Sequence, residues 1–504
     1  MILFINPPSR AGVYQGLSDS LAAIEPPPWC RLLVSYCEKR GIETEILDAD
    51  AWGYDKQGIV TAVVDLRPIL IVIVVHGQQP SASTQTMPSA IEVSRAIKQA
   101  CPEIPILIVG GHPAALPERT LEETGANFVC TGEGPLTIIA LIEHLKSGAM
   151  FSSRSDAFKD VSGLCHQIGR KVIKTQPAEN VWNLTEEMPG GMWDKLPMEK
   201  YRGHNWHCLQ EKSRQPYASI YTSLGCPFAC GFCNIQNPFR GGDSLKYSGK
   251  ANSYRMWNPR HAVDEIELLL EKYGVINIKI ADEMFVLNRN HVLGVCGEII
   301  GRGDLGDKLN IWCYARVDTI KDDAMLEEMR RAGIKWVALG IESASEFVRD
   351  GVDKADYGLE DIYRACEKLR AHSINLIANF IVGLPDDTVE TMRETMQMAY
   401  TIMPEFLNLY ACQTYPGSLL WDQTPQDQRS YDWRTYAHHG YECVPARTRT
   451  LSSAEVLKFR DDAFEKFYRS SSYQSHVLTK FGPRAVVEVQ EMARVPLKRK
   501  LLGD

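Results

Sequence analysis

The run Ile69-Leu-Ile-Val-Ile-Val-Val75 constrains the fold of this chain more than any other stretch. It has no polar residue at either phase of a two-residue period. A strand made from it must be covered on both faces, as in a parallel sheet with helices above and below. It is also the longest strongly apolar run, and it is far too short to cross a bilayer. Ile2–Ile5, Glu43–Leu47, Ile104–Val109 and Phe128–Cys130 read as further strands, with helices Trp29–Lys39, Ser89–Ala100 and Leu136–Ser147 between and after them. The expectation for residues 1–147 is α/β: a doubly wound parallel sheet whose ligands lie beyond the carboxyl ends of its strands.

Those ends carry small and turn-forming residues. They are Asn6-Pro7-Pro8, the loop from His76 to Ser83 with Gln78 and Ser81, Gly110-Gly111-His112-Pro113, and Gly132-Glu133-Gly134. Taken singly, each is an ordinary strand–helix turn; together they allow backbone to approach a bulky ligand. Residues 148–216 read as a linker or strap with a small hairpin near Gln167–Thr175. Its aromatic and polar part brings His204, Trp206 and His207 forward as candidate substrate contacts, against the plainer reading of a packed strap.

Residues 217–424 repeat a strand–helix unit. Strands are expected at Ala218–Leu224, Ile276–Ile280, Asn310–Tyr314, Trp336–Leu339, Leu376–Ile381 and Phe406–Tyr410, which builds a partial (β/α)6 barrel. Directly after the first strand comes Cys226-Pro-Phe-Ala-Cys230-Gly-Phe-Cys233. A cubane iron–sulfur cluster normally takes four thiolates. Three on one loop leave one iron open, by the logic that makes an open metal position catalytic. A zinc knuckle or unrelated core thiols are the competing readings. Zinc would want a fourth ligand at short spacing, and the nearest downstream cysteine is Cys296.

The CxxxCxxC spacing, with an aromatic residue before the last cysteine, resembles the radical S-adenosylmethionine (SAM) superfamily. That resemblance implies that Cys226, Cys230 and Cys233 hold a [4Fe-4S] cluster whose open iron takes SAM. It further implies SAM contacts from Phe232 beside the cluster, Asp282 and Glu283 at the amino group, Arg316 at the carboxylate or the cluster's charge, Glu342 and Ser343 at the ribose, and Ile381 at the adenine. Tyr415 falls in a turn similar to the family's closing motif and is a further candidate substrate contact. The first domain is similar to the cobalamin-binding domain of one branch of these enzymes, the class B methyltransferase-like branch. This implies cobalamin contacts from Pro8, His76, Gln78, Ser81, Ser83, Gly110, Gly111, His112, Gly132, Glu133 and Gly134. The Asp-x-His-x-x-Gly motif that supplies a cobalt-ligating histidine in many cobalamin proteins does not occur here. The expectation is therefore cobalamin with no protein histidine on cobalt, its lower face covered by the His76–Ser83 loop.

The resemblance implies an enzyme that cleaves SAM to a 5′-deoxyadenosyl radical and methylates an unactivated carbon of a small biosynthetic intermediate through methylcobalamin. Cyclisation, ring contraction or oxidation without methyl transfer is the alternative, and a cobalamin or iron–sulfur sensor or electron carrier is the non-enzymatic one. An external electron donor of flavodoxin or ferredoxin type is implied. The formal net charge of −8, without a basic stripe, argues against a nucleic-acid partner. The 14 cysteines form no disulfide framework, and Met1–Asn6 has no basic leader. The expected setting is cytoplasmic, with no membrane span. Residues 425–504 are read as a mostly helical extension in which Ser453–Tyr468 lids the barrel.

Overall fold

The computed structural model describes the chain except residues 78, 80–81, 148–156, 210, 212, 240–252 and 355. The first sheet contains β1 Ile2–Asn6, β2 Thr44–Asp48, β3 Leu70–Val75, β4 Ile106–Gly110, β5 Phe128–Cys130, β6 Leu164–Ile168 and β7 Lys171–Lys174. Their order is β2-β1-β3-β4-β5-β6-β7. Pairing is parallel through β5, after which β6 and β7 add as an antiparallel hairpin. The strand from Leu70 to Val75 is buried throughout, as its unbroken apolar run requires. The order reverses between β1 and β3, which makes their carboxyl ends the topological switch point where such sheets bind ligands.

The helix after β3 spans Ala82–Ala100, seven residues more than the sequence suggested at its start. Its first turns bury Ser83, Thr84, Gln85 and Thr86 rather than apolar side chains, so no hydrophobic period marks them. Pro88 also sits inside this helix, where a proline usually signals a boundary.

The second sheet contains β8 Tyr217–Ile220, β11 Asn277–Ile280, β12 Asn310–Arg316, β13 Ile334–Glu342, β14 Asn375–Val382 and β15 Phe406–Ala411; β9 Ser223–Leu224 pairs separately with β10 Arg255–Met256. The six strands are parallel and consecutive, an open (β/α)6 barrel. Its helices are Pro259–Tyr273, Arg289–Ile300, Asp323–Arg331, Leu359–Ala371 and Val389–Ile402. Side chains of Asn258, Asn288, Asp322 and Thr388 cap four of them. The single strand expected over Ala218–Leu224 is divided because the Asp282 carboxylate takes the Thr222 N–H and hydroxyl, both at 2.6 Å.

Three C-terminal helices, Ser453–Arg469, Ser471–Phe481 and Pro483–Arg494, close the exposed side of β15. Arg460 Nε donates to Leu409 O at 2.7 Å, the Tyr468 hydroxyl donates to Leu407 O at 2.7 Å, and Tyr473 donates to Glu405 O at 2.8 Å. The two sheets are joined through buried ion pairs. Arg31, on the helix Pro28–Glu38 of the N-terminal domain, reaches Glu265 of the barrel at 2.8 Å and lies 3.5 Å from the Trp193 ring centroid. Among the described residues no helix is long and apolar enough to cross a membrane.

Candidate active site

The carboxyl ends of the barrel strands, the switch-point side of the first domain and the C-terminal region enclose one cavity of about 800 Å³. Strand alternation decides what faces it. Lys279, Ala281 and Glu283 project inward from β11 and its extension, as do Trp312, Tyr314 and Arg316 from β12.

The cysteine loop forms the cavity's upper wall. Cys233 and Phe232 line it, Cys226 is buried, and Cys230 is half-buried. The three thiols stand close enough to raise one another electrostatically, and burial pushes Cys233 up to about 12. The Lys354 and Arg316 cations oppose that rise at Cys230. Among the described residues no three Cys, His, Asp or Glu side chains converge on a point where one metal ion would sit. Part of the loop's backbone is bonded to neighbouring segments. Gly231 N–H donates to Val352 O and its carbonyl accepts from Leu420 N–H, both at 2.9 Å. The Gly231 amide is therefore committed to the Val352 carbonyl outside the loop. Gly225, at φ +83°, has no room for a Cβ, which would lie 2.5 Å from Ser253 Oγ.

Cationic and carboxylate groups surround the three thiols. Arg316 Nη1 lies 3.6 Å from Cys230 Sγ, with the guanidinium carbon 3.7 Å from the Phe228 ring centroid. Asp318 at 2.9 Å and Asp356 at 2.7 Å hold its other nitrogens. Glu283 accepts from Gly225 N–H at 3.0 Å, and burial pushes its carboxyl up to about 8. A carboxyl so raised is favoured in its charged form only when a cation arrives beside it. Glu342 has φ +66° and follows a break in the β13–β14 register, which turns its side chain inward to an ion pair with Lys354. That conformation is costly for a residue with a Cβ and is retained at functional sites. Ile381 and Asn379 complete this wall.

Two of the acid and hydroxyl candidates face elsewhere. Asp282 is buried outside the cavity, bonded to Thr222 and, at 2.7 Å, to Ser223 Oγ. It anchors the chain leading into the cysteine loop. Ser343 Oγ meets Thr395 Oγ1 at 3.3 Å, away from the cavity. Of the residues around the lower barrel, His204 and Trp206 line the cavity as a stacked pair with centroids 5.4 Å apart. His207 bonds to Asn310 O at 2.9 Å and does not line it. Tyr415 does line it, and its hydroxyl accepts from Gln85 of the first domain and meets His438 Nε2, both at 3.0 Å.

At the switch point a smaller cavity, about 60 Å³, lies against Asn6, Ser9, Trp29, His76 and Gly77, and shares Tyr14, Glu25, Gln79 and Gln85 with the large one. His76 stacks on Trp29 at 4.5 Å. Both are buried, and among the described residues His76 Nδ1 and Trp29 Nε1 meet no hydrogen-bond partner. Orphaned polar atoms in a buried ligand mouth fit a large polar macrocycle that would satisfy them. Burial lowers His76 to about 4, so its ring is neutral.

The remaining glycine and histidine candidates form closed packing. His112 N–H donates to Ser83 Oγ at 2.8 Å, and His112 Nδ1 meets Thr84 Oγ1 at 3.1 Å. Gly110 lets β4 pass β3 so closely that a Cβ would lie 1.9 Å from Val75 O. Glu133, between Gly132 and Gly134, is ion-paired to Arg255 of β10 at 2.9 Å. Pro8 is half-buried and outside both cavities, and Gln78 and Ser81 lie outside the described residues.

Sequence reasoning did not single out Lys354, Lys279, Glu25 or Arg255. Lys354 follows Glu342 on a polar loop with no motif, and Glu25 is marked only by preceding Pro26-Pro27-Pro28.

Comparison with known proteins matches residues 220–399 to the radical SAM superfamily and residues 14–142 to the B12 binding domain. The anaerobic magnesium-protoporphyrin IX monomethyl ester cyclase of Cereibacter sphaeroides is 25% identical over 93% of this chain and 70% of its own. An uncharacterised methyltransferase of Pyrococcus horikoshii is 25% identical over 93% of this chain and 92% of its own. The radical SAM methyltransferase TsrM from Kitasatospora setae, solved with cobalamin and a [4Fe-4S] cluster, superposes with a TM-score of 0.69 at 16% identity, covering 98% of this chain and 99% of that one. Residues 220–399 thus form a radical SAM domain and residues 14–142 a B12-binding domain, and these two domains imply a [4Fe-4S] cluster, SAM and cobalamin.

Proposed function

We propose that this enzyme methylates a carbon of a small, polar, hydrogen-bonding substrate held inside the barrel. One observation carries the reading. The cysteine-loop residues Phe232 and Cys233 and the first-domain residues Tyr14, Gln79 and Gln85 all border the same cavity. A carbon placed there is in reach of both cofactor regions, and such proximity is the main thing the protein must supply.

Cys226, Cys230 and Cys233 would hold the cluster, while the switch-point residues around His76 and Trp29 would hold the corrin. When bound, the cluster supplies the electron for SAM cleavage and cobalamin supplies a carrier for the methyl group. Arg316 and Lys354 place positive charge beside the thiolates and the SAM carboxylate. Glu283 takes the SAM amino group, and Glu342, turned inward by its backbone, takes ribose hydroxyls. The residues closing the cavity exclude water from a site where a carbon radical must survive.

The substrate class follows from the layer below. Lys279 pairs with Glu25 at 3.1 Å, and His204 lies 3.6 Å from the same carboxylate. Across the barrel, Asn408 Nδ2 donates to Asn379 Oδ1 at 2.9 Å. Trp206, Trp312, Tyr314 and Phe406 form the apolar remainder. Hydrogen-bonding groups at these depths favour a polar ligand with a planar or apolar body over a wholly hydrocarbon one, since they hold donor and acceptor capacity beyond these pairs that only a polar ligand can use.

The electron donor is a low-potential flavodoxin- or ferredoxin-type protein. The setting is a reducing cytoplasm, a reading supported by fourteen free thiols. The test is product counting with reconstituted enzyme and candidate polar metabolites. Methylation yields one 5′-deoxyadenosine and one S-adenosylhomocysteine per methylated product. Deoxyadenosine with a modified but unmethylated product would replace the reading with radical cyclisation or oxidation.

A further inference from the structure

The segment that leads into the cysteine loop is held from the first domain as well as from its own barrel. Leu224, two residues before Cys226, pairs in β9 with Arg255 of β10. The Arg255 guanidinium leaves the barrel and meets Glu133 at the carboxyl end of β5, with oxygens at 2.9 and 3.2 Å. Both side chains are about 2% exposed or less. The same guanidinium donates to Val181 O, while Val181 N–H donates to Glu133 at 3.4 Å.

From Arg255 the contacts run on to the cysteine loop. Arg255 Nε donates to Ser253 O at 3.0 Å, Ser253 Oγ donates to Gln236 Oε1 at 2.6 Å, and Gln236 Nε2 donates to the Cys226 carbonyl. Ser253 and Gln236 are buried, and Gly225 is pressed against Ser253 so closely that no side chain fits. An unbroken series of buried polar contacts thus joins the Gly132-Glu133-Gly134 loop to the backbone of the first cysteine.

A buried ion pair is a poor way to add stability, because taking two charges out of water offsets most of their attraction. What such a pair does well is fix register between two bodies, and this one fixes the first domain against the entry of the cysteine loop. An ordering change at either end can reach the other along these buried contacts.

We propose that Glu133, Arg255, Ser253 and Gln236 are positioning residues that couple cobalamin occupancy of the first domain to the geometry of the cluster loop. This rests on the cofactor reading given above. Energetic coupling between two ligand sites is reciprocal, so a cluster in place must tighten cobalamin by the factor by which cobalamin favours the cluster.

The test measures the hydroxocobalamin dissociation constant, by visible titration under anaerobic conditions, in cluster-free and cluster-loaded full-length protein. The native chain is expected to bind about fivefold or more tightly when loaded. Ser253→Ala removes one hydroxyl, and it should leave the cluster-free affinity unchanged and bring the ratio close to one. The double variant Glu133→Gln/Arg255→Met, which leaves no lone buried charge, should likewise bring the ratio close to one. If that double variant fails to fold, Ser253→Ala decides alone. A native ratio of one, or a ratio kept in Ser253→Ala, overturns the coupling. A native protein that takes up no cobalamin or no cluster overturns the cofactor reading instead, and its visible spectrum distinguishes that result.

Discussion

Replacing Arg316 by alanine tests the electrostatics around the cysteine loop. Its Nη1 lies 3.6 Å from Cys230 Sγ, and its side chain is 4% exposed, so solvent screens the contact little. A unit charge at that range is worth about 4 kcal/mol at an effective dielectric near 20. Asp318 and Asp356 draw on the same guanidinium, which reduces the share available to the sulfur. The net should be that of one charge-assisted hydrogen bond, about 1.5–3 kcal/mol. A cation beside the cluster favours the state holding the extra electron. Its loss should lower the reduction potential by roughly 60–130 mV, at about 59 mV per tenfold for one electron. The SAM dissociation constant should rise roughly 10- to 150-fold through the lost carboxylate contact. The assay is an EPR-monitored redox titration beside equilibrium SAM binding, with iron content as the control. Arg316→Lys keeps the charge and should fall between the two. An unchanged potential and SAM affinity would refute the reasoning, as would iron loss in proportion to the loss of SAM binding.

Other perturbations have equally definite outcomes. Gly225→Ala should strain a left-handed backbone by about 1–2 kcal/mol and overlap Ser253 at a further cost of about 1–3 kcal/mol. Iron incorporation should fall while circular dichroism of the folded chain persists. Glu405, buried beside Lys480 and His476, is depressed from 4.5 to about 2. A depressed carboxylate stabilises the fold fully above its unfolded value and loses that contribution as pH falls from about 4.5 towards 2. The contribution is about 3 kcal/mol at 1.36 kcal/mol per unit, so Glu405→Gln should flatten the acid branch of a denaturation profile. Cys230→Ala should abolish 5′-deoxyadenosine formation, measured by chromatography, because the remaining two thiolates leave the cluster without its third anchor.

Much of the architecture was legible because the strands are pure. Ile69–Val75 admits no assignment but a doubly covered strand, and all six barrel strands fall where apolar runs meet turn residues. That Cys233, Glu283, Arg316, Glu342 and Ile381 would border one cavity was legible from order along the chain, because each lies at or just beyond the carboxyl end of a barrel strand. Direction was not legible. Asp282 and Glu283 are neighbours, yet strand alternation sends one to Thr222 and the other to the cavity. Nor were the partners that arrive from a distance: Glu25 meets Lys279 across 254 positions and Glu133 meets Arg255 across 122. Charges paired over such separations leave no period or spacing in the sequence.

The iron centre itself offers the most direct test, through Mössbauer spectra of anaerobically reconstituted, iron-57-labelled protein recorded before and after adding SAM. Three protein anchors require that one iron site alone changes its coordination when SAM arrives. Spectra in which all sites stay as they were, or a preparation that holds zinc in place of iron, would contradict the account.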